Sequence, residues 1–260
     1  MIFDTHAHYD DEAFEEDRDR LLGEELKAAG IVKVMNVAAD TTSLDTTNEL
    51  SLRFENVYAA LGIHPSETED LSESDMDHIR KLVLENEKVR AIGEIGFDYH
   101  YDSPGRDCQK KWFVRQIELA GELDLPVIIH SRDAAEDTLN IIKEYYPVTK
   151  DKINGVIHCY SYAAQDAREY VKRGFLIGVG GVITFKNARK LKETVESIEL
   201  ENIVLETDCP YLAPVPYRGE RNCSLYLPYV VSCIAEIKAV ERDVVENITF
   251  ENAMRLYRLI

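Results

Sequence analysis

Pro126-Val127-Ile128-Ile129-His130-Ser131-Arg132 is a short, continuous apolar run that ends in a histidine. A strand that is apolar on both faces is typical of a parallel sheet covered by helices on its two sides. Seven further short runs, rich in β-branched residues, alternate with longer amphipathic stretches along the chain. The eight predicted strands span residues 2–6, 32–37, 57–63, 91–95, 127–129, 155–158, 175–179 and 203–206. Eight such strands close a barrel, so the sequence predicts an α/β fold of the (β/α)₈ TIM-barrel type.

The stretches between the predicted strands supply the helical cover of this barrel. Residues 107–123, 134–146 and 244–259 each place their apolar side chains along one stripe of a helix. The chain has 260 residues, which is close to the usual length of a TIM barrel. No linker, internal repeat or low-complexity tract interrupts the pattern. We therefore predict a single domain that spans residues 1–260.

Six side chains that can bind metal fall where the predicted strands end. They are His6, His8, Glu94, His130, His158 and Asp208. In a TIM barrel the carboxyl ends of the strands converge on one face, although the residues are far apart in sequence. Neutral imidazole is the commonest metal ligand, and carboxylates add the negative charge that holds a divalent cation. The sequence therefore predicts a metal site at the C-terminal face of the barrel.

The first pair of candidate ligands shows the local geometry. Residues i and i+2 of a strand point to the same face, so His6 and His8 project together while Ala7 points away. A histidine pair of this spacing also occurs by chance, so the prediction depends on the other four side chains. Cys159 and Cys209 each follow a candidate ligand, and the same alternation predicts that they face the opposite side.

Charge and composition limit the possible partners. Forty-eight acidic and thirty basic residues give a formal net charge of −18, which argues against extended electrostatic binding to nucleic acid or to an anionic membrane. Any ligand that carries phosphate must then be bound locally. The chain shows no leader-like start and no apolar run of membrane-spanning length, and its five cysteines are widely spaced. We expect a cytoplasmic protein with reduced thiols and no membrane partner. The sequence favours a monomer but leaves the oligomeric state open.

Several motifs match those of a known family in order and spacing. They are Asp4-Thr5-His6-Ala7-His8, Gly62-Ile63-His64-Pro65, Gly93-Glu94-Ile95-Gly96, His130-Ser131-Arg132-Asp133, Val182-Ile183-Thr184-Phe185-Lys186-Asn187 and Glu206-Thr207-Asp208-Cys209-Pro210. On these residues the chain resembles the TatD-like metal-dependent hydrolases. This family is a TIM-barrel branch of the amidohydrolase superfamily, and its members include metal-dependent deoxyribonucleases. The resemblance extends over nearly the whole chain.

The resemblance implies a dinuclear site with two divalent metal ions, for which zinc, manganese and magnesium all remain candidates. The first ion would be held by His6, His8, Glu94 and Asp208, and the second by Glu94, His130 and His158, with the glutamate as the bridge. Asp208 would also position the nucleophilic water. His64 would be an additional catalytic residue that either contacts phosphate or assists proton transfer. The implied catalytic residues are therefore Asp208, Glu94 and His64.

The loop after the last predicted strand departs from the family pattern. Glu220 stands where the family usually has a basic residue, and Cys223-Ser224 replace Glu-Pro. The resemblance therefore does not carry over the family's substrate contacts in this loop. We still consider Arg132, Arg218 and Arg221 as candidate substrate-binding residues, because a guanidinium offers paired donors to phosphate oxygens. Ordinary surface charge is the alternative interpretation of all three.

These observations favour a metal-dependent hydrolase, and most specifically a deoxyribonuclease that cleaves phosphodiester bonds at exposed DNA ends with metal-activated water. A second hypothesis is the hydrolysis of a small phosphorylated or carbonyl substrate, such as an amide, ester or lactone, by the same water. A third is a noncatalytic barrel that binds metal or a partner protein. The third hypothesis predicts a closed coordination sphere, whereas catalysis requires an open position.

Overall fold

Eight parallel strands form a single sheet, and their order in space follows their order in the chain. The computed structural model describes all residues from 1 to 260. The strands are β1 (Ile2–Ala7), β2 (Ile31–Val37), β3 (Val57–Leu61), β4 (Val89–Asp98), β5 (Val127–Arg132), β6 (Gly155–Ile157), β7 (Phe175–Val179) and β8 (Ile203–Leu205). The sheet closes where the backbone N–H of His8 donates to Cys209 O at 2.9 Å. The predicted TIM barrel is thus confirmed.

Helices follow the strands and cover the outside of the barrel. The α-helices are α1 (Arg18–Arg20), α2 (Leu26–Ala28), α3 (Ser43–Arg53), α4 (Glu73–Glu85), α5 (Arg106–Glu122), α6 (Ala135–Tyr145), α7 (Ala164–Val171), α8 (Arg189–Ser197), α9 (Leu227–Lys238) and α10 (Arg242–Leu256). One π-helical turn, Leu21–Glu25, joins α1 to α2. Short 3₁₀ segments are Glu12–Phe14, Pro65–Glu67, Gly181–Thr184, Leu200–Asn202 and Ser224–Tyr226. None of these helices combines the length and the apolar composition that a bilayer span requires.

Apolar side chains pack on both sides of the sheet. A large core of 56 buried residues includes side chains from both the strands and the surrounding helices. A smaller cluster of 12 contains side chains from every strand and from α10, among them Ile128 and Val156. Ile128 precedes His130 by two positions in β5 and therefore shares its face of the strand. The smaller cluster thus supports His130 from inside the barrel.

Candidate metal centre

The end of β1 brings two imidazoles together, as the alternation of a strand predicts. Nε2 of His6 lies 3.2 Å from Nε2 of His8. Two carboxylates face this pair: Glu94 Oε2 lies 3.3 Å from His6 Nε2, and Asp208 Oδ1 lies 3.5 Å from His8 Nε2. His6 is buried, whereas the side chain of Asp208 keeps 19 % of its surface exposed. One side of this group is therefore accessible to solvent.

Glu94 connects this group to the remaining two histidines. Its Oε1 lies 2.6 Å from Nδ1 of His130 and 3.7 Å from Nε2 of His158. The two oxygens of one carboxylate thus face different sets of imidazoles. His158 Nε2 also lies 3.6 Å from Asp208 Oδ1, and the ring of His158 stacks on that of His6 with centroids 3.5 Å apart. The structure brings all six candidate ligands into one cluster.

The spacing of these donor atoms fits divalent cations. Two ligands of one tetrahedral ion, each about 2.1 Å from it, lie about 3.4 Å apart. The Nε2 atoms of His6, His8 and His158 and the facing carboxylate oxygens are separated by 3.2–4.0 Å. Four imidazoles and two carboxylates also match the mixed nitrogen and oxygen ligands of zinc and manganese sites. The residues of this cluster therefore suit a divalent metal, and His158 faces both Glu94 and Asp208.

The charges of the cluster affect its proton affinity. Burial alone would lower the pKa of His8, but the carboxylates of Asp208 and Glu94 outweigh it and raise that pKa to about 9. Burial would likewise lower the pKa of His158, but Glu206, Glu94 and Asp208 raise it to about 10. Since a metal ligand must be a neutral imidazole, cations have to displace these protons. Metal binding should therefore release protons and weaken as the pH falls.

Buried acceptors orient the rings from behind. Oε2 of Glu206 lies 3.1 Å from Nδ1 of His158, and Oε1 of Glu206 accepts the backbone N–H of Cys159 at 2.6 Å. Asp98 Oδ2 approaches Nε2 of His130 to 3.3 Å but does not form a hydrogen bond with it. The carbonyl of Val37 is 2.8 Å from Nδ1 of His8. These contacts leave Nε2 of His8 and His158, and Nδ1 of His130, to face the cluster.

Sequence reasoning missed Glu206 and Asp98 as contributors to the site. Both carboxylates are buried, with exposures of 1 % and 3 %. A charged side chain at the end of an apolar strand requires a buried partner, and this was the signal available in the sequence. Gly178 on β7 leaves room for the buried carboxylate of Glu206, because a Cβ at position 178 would lie 2.3 Å from Glu206 Oε2.

We expect the Glu206→Gln variant to bind zinc about 10- to 100-fold more weakly than the native chain, because the neutral amide no longer fixes the His158 ring as a negative acceptor. Competition with a chelator of known affinity would measure this loss. Glu201→Gln, which changes an exposed glutamate nearby in sequence, is the matched control and should bind normally. Equal affinities of the two variants would contradict the role of Glu206.

The prediction that Cys159 faces away from the candidate ligands was wrong. Strand β6 ends at Ile157, and Cys159 adopts a left-handed backbone with φ of 45°, so the strand alternation no longer applies to it. Its sulfur lies within 4.8 Å of donor atoms of His158 and Asp208. Burial raises the pKa of this thiol well above its usual range, which keeps it protonated. Cys209, in contrast, is buried in the apolar core.

Of the remaining candidate residues, His64 lies against the cluster, and the three arginines contact aromatic rings. The His64 ring meets that of His130 edge to face, with centroids 4.3 Å apart, and burial lowers the pKa of His64 to about 4. The guanidinium of Arg132 lies over the ring of Tyr101, with 5.8 Å from Cζ to the centroid. Each of the other two arginines also lies over a ring: Arg218 over Phe185 and Arg221 over Phe14.

Arg221 differs from the other two arginines because it is already paired. Its two terminal nitrogens donate to both carboxylate oxygens of Asp17, at 2.7 and 2.6 Å. The same guanidinium donates to the carbonyl of Ala13 at 2.6 Å. A phosphate that binds Arg221 must therefore compete with a bidentate ion pair.

Ser224, which stands where the family usually has proline, takes part in a buried hydrogen-bond network. Ser224 Oγ donates to Asp4 Oδ2 at 2.6 Å and lies 2.8 Å from Tyr9 Oη, while the Ser224 N–H donates to Tyr9 Oη at 3.1 Å. Thr207 Oγ1 donates to the same oxygen of Asp4 at 2.7 Å. Proline, the family's usual residue here, has no N–H to donate. The network ties the loop after β8 to β1, which carries His6.

We expect Ser224→Ala to lower the free energy of unfolding by about 1–3 kcal/mol, because it removes the two contacts of the Ser224 hydroxyl with buried Asp4 and Tyr9. Urea unfolding of the native and variant chains would measure the difference. Ser232→Ala, at an exposed helical serine whose Oγ donates only to Pro228 O, is the control and should change stability by less than about 0.5 kcal/mol. A Ser224→Ala effect as small as that of the control would show that the network does not stabilise the fold.

Comparison with known proteins agrees with this geometry. The family model for the TatD related DNases matches residues 3–258. An uncharacterized metal-dependent hydrolase of Bacillus subtilis, YabD, is 42 % identical over 259 residues and covers 100 % of both chains. The uncharacterized metal-dependent hydrolase YcfH of Escherichia coli K12 is 33 % identical over 266 residues, which cover 100 % of this chain and 96 % of YcfH.

A solved structure supports the same assignment. The crystal structure of YjjV, a TatD homologue from Escherichia coli K12, matches with a TM-score of 0.91 at 29 % identity and covers 99 % of this chain and 98 % of that one. The barrel, the clustered ligands and these relatives lead to one conclusion. The chain belongs to the TatD family of metal-dependent hydrolases.

Proposed function

We propose that this protein is a deoxyribonuclease that hydrolyses phosphodiester bonds at exposed DNA ends. The observation that carries the proposal is the position of Glu94, whose two oxygens face two separate sets of histidines beside a partly exposed Asp208. This arrangement suits two cations that share one carboxylate and remain accessible to a substrate. The name of the matching family model, TatD related DNase, supports the same substrate class.

Two bound divalent cations would supply an activated water and stabilise the charge on the attacking and leaving oxygens. They would be held by His6, His8 and Asp208 on one side and by His130 and His158 on the other. With neutral imidazoles, four positive charges against the two carboxylates leave a local surplus of about two positive charges. This surplus would attract a phosphodiester to a protein whose overall charge is −18.

Asp208 is the proton acceptor for the attacking water in this proposal. Burial would raise the pKa of Asp208, but His158, His6 and His8 hold it below the usual range, so the carboxylate is ionised at neutral pH. Its partial exposure lets it reach a water molecule that enters from solvent. His64 would contact the phosphate, and Arg132 and Arg218 would bind neighbouring phosphates of the strand.

A panel of labelled DNA tests the proposal. Linear single-stranded DNA, linear duplex DNA and circular single-stranded DNA of the same sequence would be incubated with protein loaded with zinc, manganese or magnesium. We expect the linear molecules to be shortened from their ends and the circle to remain intact. Cleavage of the circle at the same rate would contradict the preference for ends, and no cleavage with any of the metals would contradict the nuclease activity.

The acidic loop after β1 favours a second candidate, the hydrolysis of a small ester, amide or lactone. This loop lies at the face of the barrel that holds the ligands, and it carries Asp10, Asp11, Glu12, Glu15 and Glu16. Asp17 forms an ion pair with Arg221. Such a charge repels a long polyanion more than a small neutral substrate. Turnover of lactones or acetyl esters by the metal-loaded protein, without cleavage of DNA, would favour this alternative.

For the nuclease we expect a shallow dependence of DNA affinity on salt, since few basic side chains displace counterions from the strand. The measurement is the dissociation constant of an uncleaved, phosphorothioate-ended strand between about 50 and 200 mM salt. A loss of affinity below about tenfold is expected. A loss of 10³-fold or more, as for proteins with six to ten phosphate contacts, would show an extended basic interface.

A further inference from the structure

The loop that connects β4 to α5, residues 99–105, carries an exposed aromatic side chain at its tip. Tyr101 keeps 57 % of its surface exposed. The loop begins at the carboxyl end of β4, the strand that carries Glu94, and therefore lies at the face of the barrel that holds the candidate ligands. The ring of Tyr101 is thus accessible to a ligand that binds at this face.

Gln109 of α5 holds both ends of this loop. Its Oε1 accepts the backbone N–H of Asp98 at 2.9 Å, and its Nε2 donates to the carbonyls of Asp98 and Pro104 at 2.8 and 2.9 Å. Gln109 itself is buried. The N–H of Tyr99 also donates to the carbonyl of Arg132 on β5 at 2.9 Å. A loop that is fixed at both ends loses less conformational entropy when its tip binds a ligand.

Arg132 places a cation between the Tyr101 ring and the metal cluster. It is the last residue of β5 and follows His130 by two positions, so the two side chains share one face of the strand. Two residues of a strand span about 6.6 Å, which is the length of roughly one or two nucleotides along a DNA strand. Arg132 Cζ lies 5.8 Å from the centroid of Tyr101, whose ring meets that of His100 edge to face with centroids 4.9 Å apart.

The charges beyond Arg132 favour a neutral, flat ligand at the Tyr101 ring. Asp133 Oδ2 lies 3.7 Å from Nδ1 of His100, and the Asp133 side chain is 69 % exposed. Asp102 follows Tyr101 directly in the chain. These carboxylates repel a phosphate, whereas a nucleobase is uncharged and offers a π-face to an aromatic ring or a guanidinium. A small lactone or acetyl ester has no such face.

We propose that Tyr101 and Arg132 form a nucleobase subsite, in which a base of the bound strand stacks on the Tyr101 ring one or two nucleotides from the metal cluster. The inference rests on the proposed function, because it requires a DNA strand as the ligand of the cluster. Stacking of one base on an aromatic side chain changes affinity by roughly 5- to 150-fold. The subsite therefore selects strands that keep their base at this position over abasic ones.

The first test locates the stacked base. A single strand of thymidines with phosphorothioate linkages carries the fluorescent base 2-aminopurine, placed in turn at each position near either end, and is bound to zinc-loaded protein. The fluorescence of 2-aminopurine falls when it stacks on an aromatic ring. We expect quenching at one or two adjacent positions with the native protein and with Tyr101→Phe, and its loss with Tyr101→Leu. Equal quenching by all three proteins would overturn the role of Tyr101.

The second test removes the ring and the base in a double-mutant cycle. Dissociation constants of native protein and Tyr101→Leu are measured with the intact strand and with a strand that is abasic at the quenched position. We expect each single change to weaken binding about tenfold, and both changes together to weaken it no further, because the ring and the base contact each other. Losses that multiply to about 100-fold would show that the two groups act independently and would refute the stacking. Tyr101→Phe is the matched control and should bind both strands as the native protein does.

These tests separate the inference from the proposed function. Metal content is determined on each sample, and cleavage of linear DNA by the native protein is measured independently. Coupling between Tyr101 and the base without any cleavage would refute the nuclease and retain the base subsite. Cleavage without coupling would retain the nuclease and refute the subsite. A protein that neither binds nor cleaves these strands would refute both.

Discussion

The Asp208→Asn variant is expected to fold normally and, under the proposed nuclease function, to hydrolyse DNA ends at least 10³-fold more slowly than the native protein. An amide keeps an oxygen near Nε2 of His8, but it lacks the negative charge and cannot accept a proton from water. Loss of a general base alone typically slows a reaction 10²- to 10⁴-fold, and a weakened metal ligand adds to the loss. Initial rates at saturating metal, with metal content determined on the same sample, measure the effect.

The backbone conformation at position 208 accommodates asparagine, so the substitution should not disturb the fold. Asp208 is left-handed with φ of 58°, a conformation that asparagine tolerates as well as aspartate does. Asp124 shares the left-handed backbone, with φ of 51°, but is exposed and pairs with Arg258 away from the cluster. Asp124→Asn is therefore the matched control and should retain native activity. Activity of Asp208→Asn within tenfold of native would mean that another group takes the proton of the water.

The sequence predicted the order and number of the strands because each is a short apolar run between polar stretches. Its errors lie at the strand ends. Strand β4 continues to Asp98, three residues beyond the predicted end, because Gly96 pairs in register with His130 inside the ladder instead of ending it. Strands β6 and β8 end one residue earlier than predicted, at Ile157 and Leu205. A strand-end residue responds to tertiary contacts that periodicity does not contain.

The candidate site, like the strand ends, was only partly predictable from the sequence. The six candidate ligands were predictable because barrel topology alone places strand ends on one face. The partners behind them were not, since the pairing of Glu206 with His158 depends on the space left by Gly178 on another strand. The pairing of Arg221 with Asp17 joins residues that are 204 positions apart. Neither contact leaves a local pattern in the sequence.

Gly96→Ala is expected to lower the free energy of unfolding by more than about 3 kcal/mol and to abolish metal binding. Gly96 has φ of 149°, which side-chain-bearing residues rarely adopt, and an added Cβ would lie 1.9 Å from the carbonyl oxygen of His130. That oxygen belongs to the backbone, so the clash is relieved only if β4 and β5 separate. These two strands carry Glu94 and His130, whose 2.6 Å contact joins the two halves of the cluster.

Gly121→Ala provides the control of opposite sign. Gly121 lies in α5, is exposed and has no atom within 4 Å of the position of an added Cβ. Alanine should therefore raise stability there by up to about 1 kcal/mol through helix propensity. Urea unfolding and zinc content of both variants measure the contrast. A Gly96→Ala protein that is as stable as the native chain and still binds zinc would contradict this prediction. In that case the backbone contact between β4 and β5 would not be what holds Glu94 against His130, and the geometry of the site would depend on the ligands alone.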